Sequence, residues 1–280
     1  MGRYDRLIDR IVRWGEQERS LHAILEIGSQ AREDHPADES SDLDLILVVD
    51  EPSVYIESDD WLKKIGPFHI SFVENTVADE RERRVLFDGA LDIDFVLLSK
   101  SSVQKLASRE VRGILGRGCR VLIDKIGLAD RLPGVSPGES SCYPPTRQKF
   151  ENVVNDFWYH AILTGKKLRR GELWAAKFCV DSYMKWRLLW MTEVYAHALH
   201  GPDYDTWHEG RFLEEWAEDW ILKGLSQCFS HYDKDDMKAA LLSTMELFGS
   251  VALKSAKLLG YPYPYGAQEY SAAWVKENLA

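Results

Sequence analysis

A short segment near the start of the chain constrains its fold more than any other part. Gly28-Ser29 is followed by twelve residues and then by Asp42-Leu43-Asp44, which leads into the apolar run Leu45–Val49. A second apolar run carries two further acids, Asp92 and Asp94, near its start. Carboxylates at the ends of buried strands are costly unless they are paired or bind a cation. These acids therefore predict a functional site at the end of a sheet.

The residue types and their spacing fit the transfer of a nucleotide with magnesium. Side chains alternate along a strand, so Asp42 and Asp44 share a face, as do Asp92 and Asp94, and neighbouring strands would bring three carboxylates together. Magnesium prefers a few carboxylate oxygens with phosphate oxygens and water, and two ions can clamp an in-line displacement. Gly28-Ser29 gives close backbone approach, a hydroxyl and an N–H to a triphosphate. For any single Asp, the alternative is a solvated strand end.

Composition excludes several classes of function. The 280 residues carry a formal net charge of −10, which argues against a nucleic-acid partner and suits a cationic small molecule. The four cysteines form no CxxC pair, which predicts reduced thiols rather than a disulfide framework or a zinc site. There is no GxxxxGK[ST] phosphate-binding loop. The start has no signal-type apolar core and no apolar run could span a bilayer, so we expect a cytoplasmic protein without a membrane partner.

Hydrophobic periodicity divides the chain into two parts. The first part mixes a helix with strands and reads as an α/β or α+β domain, with elements predicted at 4–17, 21–27, 43–49, 68–73, 91–98, 100–118 and 121–123. The proline- and glycine-rich stretch 133–138 is the best linker. The second part reads as helical, with helices predicted at 150–162, 172–198, 209–225 and 235–259. The prolines of residues 260–265 predict a non-helical tail.

The motifs also carry a family resemblance. The chain resembles the streptomycin-type aminoglycoside 6-adenylyltransferases, members of the polymerase-beta-like nucleotidyltransferase superfamily, over nearly its full length. The matching segments are Gly28-Ser29 through Asp42-Leu43-Asp44, Asp94–Leu97, Arg120–Lys125, Asp156-Phe157-Trp158 and the Tyr-Pro-rich tail. One departure concerns the residue after the Gly-Ser pair, which is Arg in the family and Gln30 here, with the first basic residue at Arg32.

The resemblance implies a fold and a reaction. The fold is α+β, with an N-terminal mixed-sheet nucleotidyltransferase domain (1–138), a C-terminal helical-bundle domain (139–280) that binds substrate, and the active site in the cleft between them. The reaction is transfer of AMP from ATP to a hydroxyl of an aminoglycoside antibiotic, with release of pyrophosphate and resistance as the result. Asp42 and Asp44 hold Mg²⁺ and the triphosphate. Asp94 completes the metal site or acts as general base, and Asp92 stays open as the third carboxylate.

Further residues are candidates with weaker signals. Arg32, Lys177 and Lys185 are predicted to contact ATP, and the alternative for the lysines is an ordinary surface role. The predicted substrate contacts are Asp156, Trp158, Glu172 and Asp181; solvation is the alternative for the acids and core packing for the tryptophan. Two other functions compete, namely the same transfer to a different small-molecule or protein acceptor, and a non-catalytic nucleotide-binding module. We expect a monomer or homodimer.

Overall fold

The chain forms two compact units. The computed structural model describes residues 2–32, 35–76, 80–107, 115–132 and 143–279. The first unit comprises residues 1–141 and the second residues 142–280. The predicted boundary between residues 138 and 139 lies outside the described residues.

The first unit is built on one mixed sheet. Its elements are α1 (Asp5–Gln17), β1 (Leu21–Ile27), β2 (Leu43–Val49), α2 (Pro52–Glu57), β3 (Phe68–Asn75), β4 (Arg81–Phe87), β5 (Leu91–Ser99) and β6 (Cys119–Asp124). The strand order is β3-β4-β5-β2-β1-β6. The central pair β2–β5 is parallel and every other pair is antiparallel. The predicted α+β class with a mixed sheet is confirmed.

The sheet is covered on both faces, which explains why its central strands are continuous apolar runs. On one face, odd-numbered residues of β2 and β5 such as Leu45 and Phe95 pack against Leu7 of α1 and Tyr55 of α2. On the other face, even-numbered residues such as Ile46 join a second core. Because side chains alternate, that second face is the one that continues into Asp44 and Asp94 at the start of the two strands.

The second unit is helical. Its elements are α3 (Arg147–Arg169), α4 (Leu173–Phe178), a π-helical turn (Cys179–Tyr183), α5 (Met184–His200), α6 (Leu213–Trp216), α7 (Asp219–Leu225), α8 (Lys234–Leu259) and α9 (Tyr265–Asn278). The core lies between α3, α5 and α8, where Phe157 stacks on Phe248 with ring centroids 3.6 Å apart. The helix predicted at 209–225 is two short helices, because Ala217 is extended between them.

The end of the chain corrects one prediction. Residues 261–264 are not helical, as their prolines require, but Tyr265 begins α9. Pro264 sits at the N-cap, where its missing N–H removes no helical hydrogen bond. Among the described helices, none is long and apolar enough to cross a membrane.

Glu193 in α5 should make the stability of the second unit pH-dependent. Burial raises the pKa of Glu193 from an ordinary 4.5 to about 7. The pKa of Glu193 is therefore higher in the folded protein than in the unfolded one. Above pH 7 the folded protein carries a poorly solvated negative charge, which lowers its stability, and this loss of stability diminishes as the pH falls towards 4.5. Glu193→Gln should raise the free energy of unfolding at pH 8 by about 1 to 2 kcal/mol, allowing for partial exposure of the carboxyl.

Urea unfolding at pH 8 and pH 5 measures this effect. Most of the gain should be lost at pH 5, and Glu277→Gln, at an exposed position of α9, should show no comparable gain. An equal gain for Glu193→Gln at both pH values would mean that the carboxyl is not the cause.

Candidate active site

Three carboxylates converge at one end of the central strands. Asp44 on β2 lies directly opposite Asp94 on β5 in the parallel register, and Asp42 immediately precedes β2. One carboxylate oxygen of each residue lies within 4.8 Å of those of the other two. Asp94 is only 8% exposed. The spacing and alternation in the sequence thus bring together the three predicted acids, which we call the acidic triad.

The surroundings of Asp94 perturb its charge. Burial raises the pKa of Asp94 to about 6, and the negative charges of Glu82, Asp42 and Asp92 act in the same direction, whereas the charge of Arg84 opposes the shift. A carboxylate with a raised pKa is a better proton acceptor than an ordinary aspartate.

Asp92 has a different environment. Its side chain and backbone oxygen each accept a hydrogen bond from the Tyr4 hydroxyl at 3.1 Å. The carboxylate is therefore held by the residue that precedes α1, and Asp92 is not among the residues whose oxygens converge. This geometry favours Asp94 over Asp92 as the third carboxylate.

The Gly28-Ser29 segment forms a single 3₁₀ turn after β1, rather than the start of a longer helix. Gly28 has φ +71°, and a Cβ built at this position would collide with the Asp44 carboxylate. The Gln30 amide donates to the backbone carbonyl of Asp42 at 3.2 Å. The turn therefore packs directly against the acidic triad, and Gln30 supports the Asp42 backbone.

The turn and triad suit a metal ion and a phosphate group. The Ser29 hydroxyl is buried and has no hydrogen-bond partner among the described residues, which is unusual for a buried polar atom. A phosphate oxygen would satisfy it. Three converging carboxylates supply the hard oxygen ligands that Mg²⁺ takes in combination with phosphate oxygens. The residues present therefore fit both groups of the predicted site.

The basic candidates for ATP binding all have partners. The Arg32 Nε donates to the carbonyl of His35 at 2.7 Å. Lys177 contacts Asp181 and both the carbonyl and the hydroxyl of Ser230. Lys185 is more deeply placed, with a side chain 10% exposed, and burial lowers its pKa to about 8.

Lys185 is held by contacts within the second unit. Its Nζ donates to the carbonyl of Val180 at 2.8 Å and to the hydroxyl of Thr244 at 2.9 Å. These contacts support packing around the π-helical turn and α8. To contact the triphosphate as predicted, the Lys185 ammonium would have to leave these two hydrogen bonds. The contact stays a prediction, and the hydrogen bonds argue against it.

The acidic substrate candidates are also engaged. Asp156 on α3 accepts hydrogen bonds from Arg187 Nε at 2.6 Å and from the Tyr183 hydroxyl at 3.0 Å. Glu172 pairs with Lys167 in the last turn of α3 and with Arg170, which follows that helix. One carboxylate oxygen of Asp181 is buried without a hydrogen-bond partner among the described residues, and Lys185 Nζ lies 3.9 Å from it.

Trp158 lies in the core of the second unit. The side chain is 2% exposed, and its indole N–H donates to the Tyr263 hydroxyl at 3.3 Å. This burial argues against the predicted contact of Trp158 with substrate and favours its alternative role, core packing.

A cavity of about 480 Å³ opens beside Asp156 in the second unit. Its lining residues are Thr146, Gln148, Lys149, Asn152, Val153, Asp156 and Arg187. The lining thus carries two basic side chains and one acid, and the acid is already paired with Arg187. The cavity is therefore not acidic.

Sequence reasoning missed two residues that touch the predicted acids. Tyr4 holds Asp92, and Arg84 on β4 lies opposite Asp94 in the antiparallel register with its Nη2 3.2 Å from Asp94 Oδ2. Tyr4 gave no signal beyond an apolar helix position. Arg84 lies in a run of charged residues, 81–84, that hides the strand.

Comparison with known proteins agrees with the motifs. A family model described as streptomycin adenylyltransferase matches residues 1–278. An aminoglycoside 6-adenylyltransferase of Campylobacter jejuni is 20% identical over 276 residues, with 96% of this chain and 94% of that protein covered. An aminoglycoside 6-adenylyltransferase of Bacillus subtilis (strain 168) is 21% identical over 247 residues, with 85% and 84% covered.

Solved structures also align with most of the chain. The crystal structure of an aminoglycoside 6-adenyltransferase from Bacillus subtilis is 16% identical, with a TM-score of 0.47 and with 98% of this chain and 97% of that chain covered. The match of the family model over nearly the full length confirms the predicted resemblance. The chain belongs to the streptomycin adenylyltransferase family and is accordingly a transferase enzyme.

Proposed function

We propose that this protein is a cytoplasmic, magnesium-dependent adenylyltransferase that transfers AMP from ATP to a hydroxyl of a streptomycin-like aminoglycoside and releases pyrophosphate. The observation that carries the proposal is the acidic triad packed against a turn whose buried serine hydroxyl has no partner within the described part of the chain. Family membership supports the same reaction. The product would carry added negative charge and bulk on a cation that must bind RNA, which would inactivate the drug.

The roles of the site residues follow from their positions. Asp42, Asp44 and Asp94 would hold Mg²⁺, which supplies charge stabilisation for the transferred phosphoryl group. Gly28 allows the close approach of the turn to the triad, and the Ser29 hydroxyl would donate to a phosphate oxygen. Asp94 has two candidate roles, third ligand and general base, and the burial that raises its pKa to about 6 suits the second.

The proposed transfer exchanges one phosphorus–oxygen bond for another. The acceptor hydroxyl loses its proton to a base, for which Asp94 is the candidate, and the hydroxyl oxygen forms a bond to the α-phosphorus. The bond from that phosphorus to the bridging oxygen of the β-phosphate breaks, and pyrophosphate leaves with the electron pair. The protein contributes mainly orientation and a preorganised set of charges.

The cavity in the second unit favours one alternative acceptor class. A polycation needs an acidic wall, but the cavity beside Asp156 presents Lys149 and Arg187 against a single carboxylate. If this cavity takes the acceptor, the same adenylyl transfer would act on a neutral or anionic polar molecule. The reaction class stays the same in this second candidate, and only the acceptor changes.

Magnesium-dependent release of pyrophosphate from ATP tests the proposal. The purified full chain would be assayed with a panel of aminoglycosides that includes streptomycin, with Asp44→Asn as control. We expect release with one compound, dependent on Mg²⁺ and absent in the control. If no compound of the panel causes pyrophosphate release by protein that still binds magnesium-ATP, the aminoglycoside acceptor is rejected and the second candidate is favoured.

A further inference from the structure

Arg84 places a positive charge in an acidic region, and the proposed chemistry assigns no role to that charge. It lies on β4 directly opposite Asp94, and its guanidinium contacts three carboxylates. Nη2 is 3.2 Å from Asp94 Oδ2, and Nε is 3.1 Å from Glu82 Oε1 and 2.6 Å from Glu74 Oε1. One arginine therefore joins the acidic triad to Glu82 on its own strand and to Glu74 on the neighbouring strand β3.

Exposure differs sharply between the partners. The side chains of Asp94 and Glu82 are each 11% exposed, whereas those of Arg84 and Glu74 are each 44% exposed. The arginine thus reaches from the protein surface towards buried acids, and its long side chain can move away without opening the core. Its ion pair uses one oxygen of Asp94, which leaves the other for a metal ion or an acceptor hydroxyl.

A neighbouring cation must weaken the binding of a metal ion by the same acids. Three carboxylates within 4.8 Å of one another repel each other strongly unless a positive charge is close. Arg84 supplies that charge within the protein itself. Phosphate oxygens of a nucleotide would add negative charge and ligands, which would offset the repulsion between Arg84 and an incoming metal ion.

We propose that Arg84 is the built-in counter-ion of Asp94, and that it lowers the affinity of the acidic triad for a free divalent cation so that the metal ion binds well only with nucleotide. The inference rests on the proposed function, because it concerns the metal site assigned there. Arg84 acts through Asp94 and is a positioning residue rather than a catalytic one.

Binding of Mn²⁺ to the full-length protein without nucleotide tests the inference, with free ion measured by electron paramagnetic resonance. Arg84→Gln should bind Mn²⁺ about 3- to 10-fold more tightly than the unmodified protein, an estimate that allows for solvent screening of a half-exposed charge. Arg84→Lys should change the affinity less, by about twofold at most, because it keeps the charge although it loses the guanidinium fork. A purely structural role predicts the opposite sign, since a disturbed site binds metal more weakly.

Two further variants separate the proposal from general charge effects. Lys63→Gln removes one exposed cation, paired with Asp60 on the opposite side of the sheet from the triad, and should leave Mn²⁺ affinity unchanged. In an Asp94→Asn background, Arg84→Gln should lose most of its effect on Mn²⁺ affinity, because the proposal places that effect in the pairing of the two residues. The four proteins form a double-mutant cycle that measures this coupling. Circular dichroism and thermal unfolding would check that each variant is folded.

The outcomes are decisive for Arg84 whatever the acceptor is. Unchanged or weaker Mn²⁺ binding by folded Arg84→Gln would overturn the proposal. If that variant does not fold, weaker binding by Arg84→Lys beyond about twofold would also overturn it. Undetectable Mn²⁺ binding in every protein, with nucleotide present, would instead reject the metal site of the proposed function.

Discussion

Asp44→Asn should lower the rate of pyrophosphate release more than about 100-fold, because groups that merely orient a metal ligand already account for about 10- to 100-fold. Asp44 lies opposite Asp94 and against the Gly28 turn, so it adjoins both another acid of the triad and the turn that carries Ser29. The amide keeps the size of the side chain but loses the charge that attracts Mg²⁺. The free energy of unfolding should not fall, since the variant removes one of three clustered negative charges.

Asp92→Asn is the matched control for this prediction. It lies on the same strand and the same face as Asp94, but its carboxylate accepts a hydrogen bond from Tyr4 rather than joining the triad. We expect a loss below about 10-fold for Asp92→Asn, because an amide oxygen can still accept that hydrogen bond. Full turnover by Asp44→Asn would exclude the metal-site assignment, and equal losses for Asp92→Asn and Asp94→Asn would reopen the choice of third carboxylate.

The sheet shows what hydrophobic patterning can and cannot predict. β1, β2 and β5 lie where their apolar runs predict them, because both faces of these strands are buried. β4 was not predicted because residues 81–84 are all charged. The structure shows local partners for Glu82, Arg83 and Arg84. The Arg83 guanidinium donates to the backbone carbonyls of Tyr55 and Ile56, whereas Glu82 and Arg84 pair on the face of Asp94.

The candidate site was predictable only as far as local spacing reaches. Alternation along a strand places Asp42 with Asp44 and Asp92 with Asp94, but it cannot separate the members of a pair that shares a face. Tyr4, 88 residues away in sequence, distinguishes Asp92 from Asp94 in the structure. Arg84 could not be found without the β4–β5 register, which no local pattern specifies.

In the helical unit, the sequence shows which residues share a helix face but not their partners on other helices. The spacing of Lys177 and Lys185 in the sequence would place them about two turns apart on one side of a regular helix. A π-helical turn, Cys179–Tyr183, separates them, and its Asp181 pairs with both lysines. Their remaining side-chain partners, Ser230 for Lys177 and Thr244 for Lys185, lie on later segments. Long-range pairing therefore decides whether such charges are available to a ligand.

Gly28→Ala should lower transfer about 100-fold or more, although it adds a single methyl group, because small displacements of reacting groups cost rate steeply. The new Cβ would collide with the carboxylate of Asp44 and lie 3.2 Å from its Cγ. Either Asp44 moves out of the triad or the turn that carries Ser29 moves away from it. Both changes separate the metal ligands from the predicted phosphate contact.

Gly89→Ala separates this collision from backbone strain. Gly89 has φ +78°, close to the +71° of Gly28, but a Cβ at Gly89 meets nothing within 4 Å. Each alanine variant should lose about 1 kcal/mol of stability, because alanine disfavours positive φ. Only Gly28→Ala should also lose transfer activity and tight Mn²⁺ binding in the presence of nucleotide. If the two variants are equally active, contact between the turn and Asp44 is not needed for transfer, and glycine at position 28 serves the turn conformation alone.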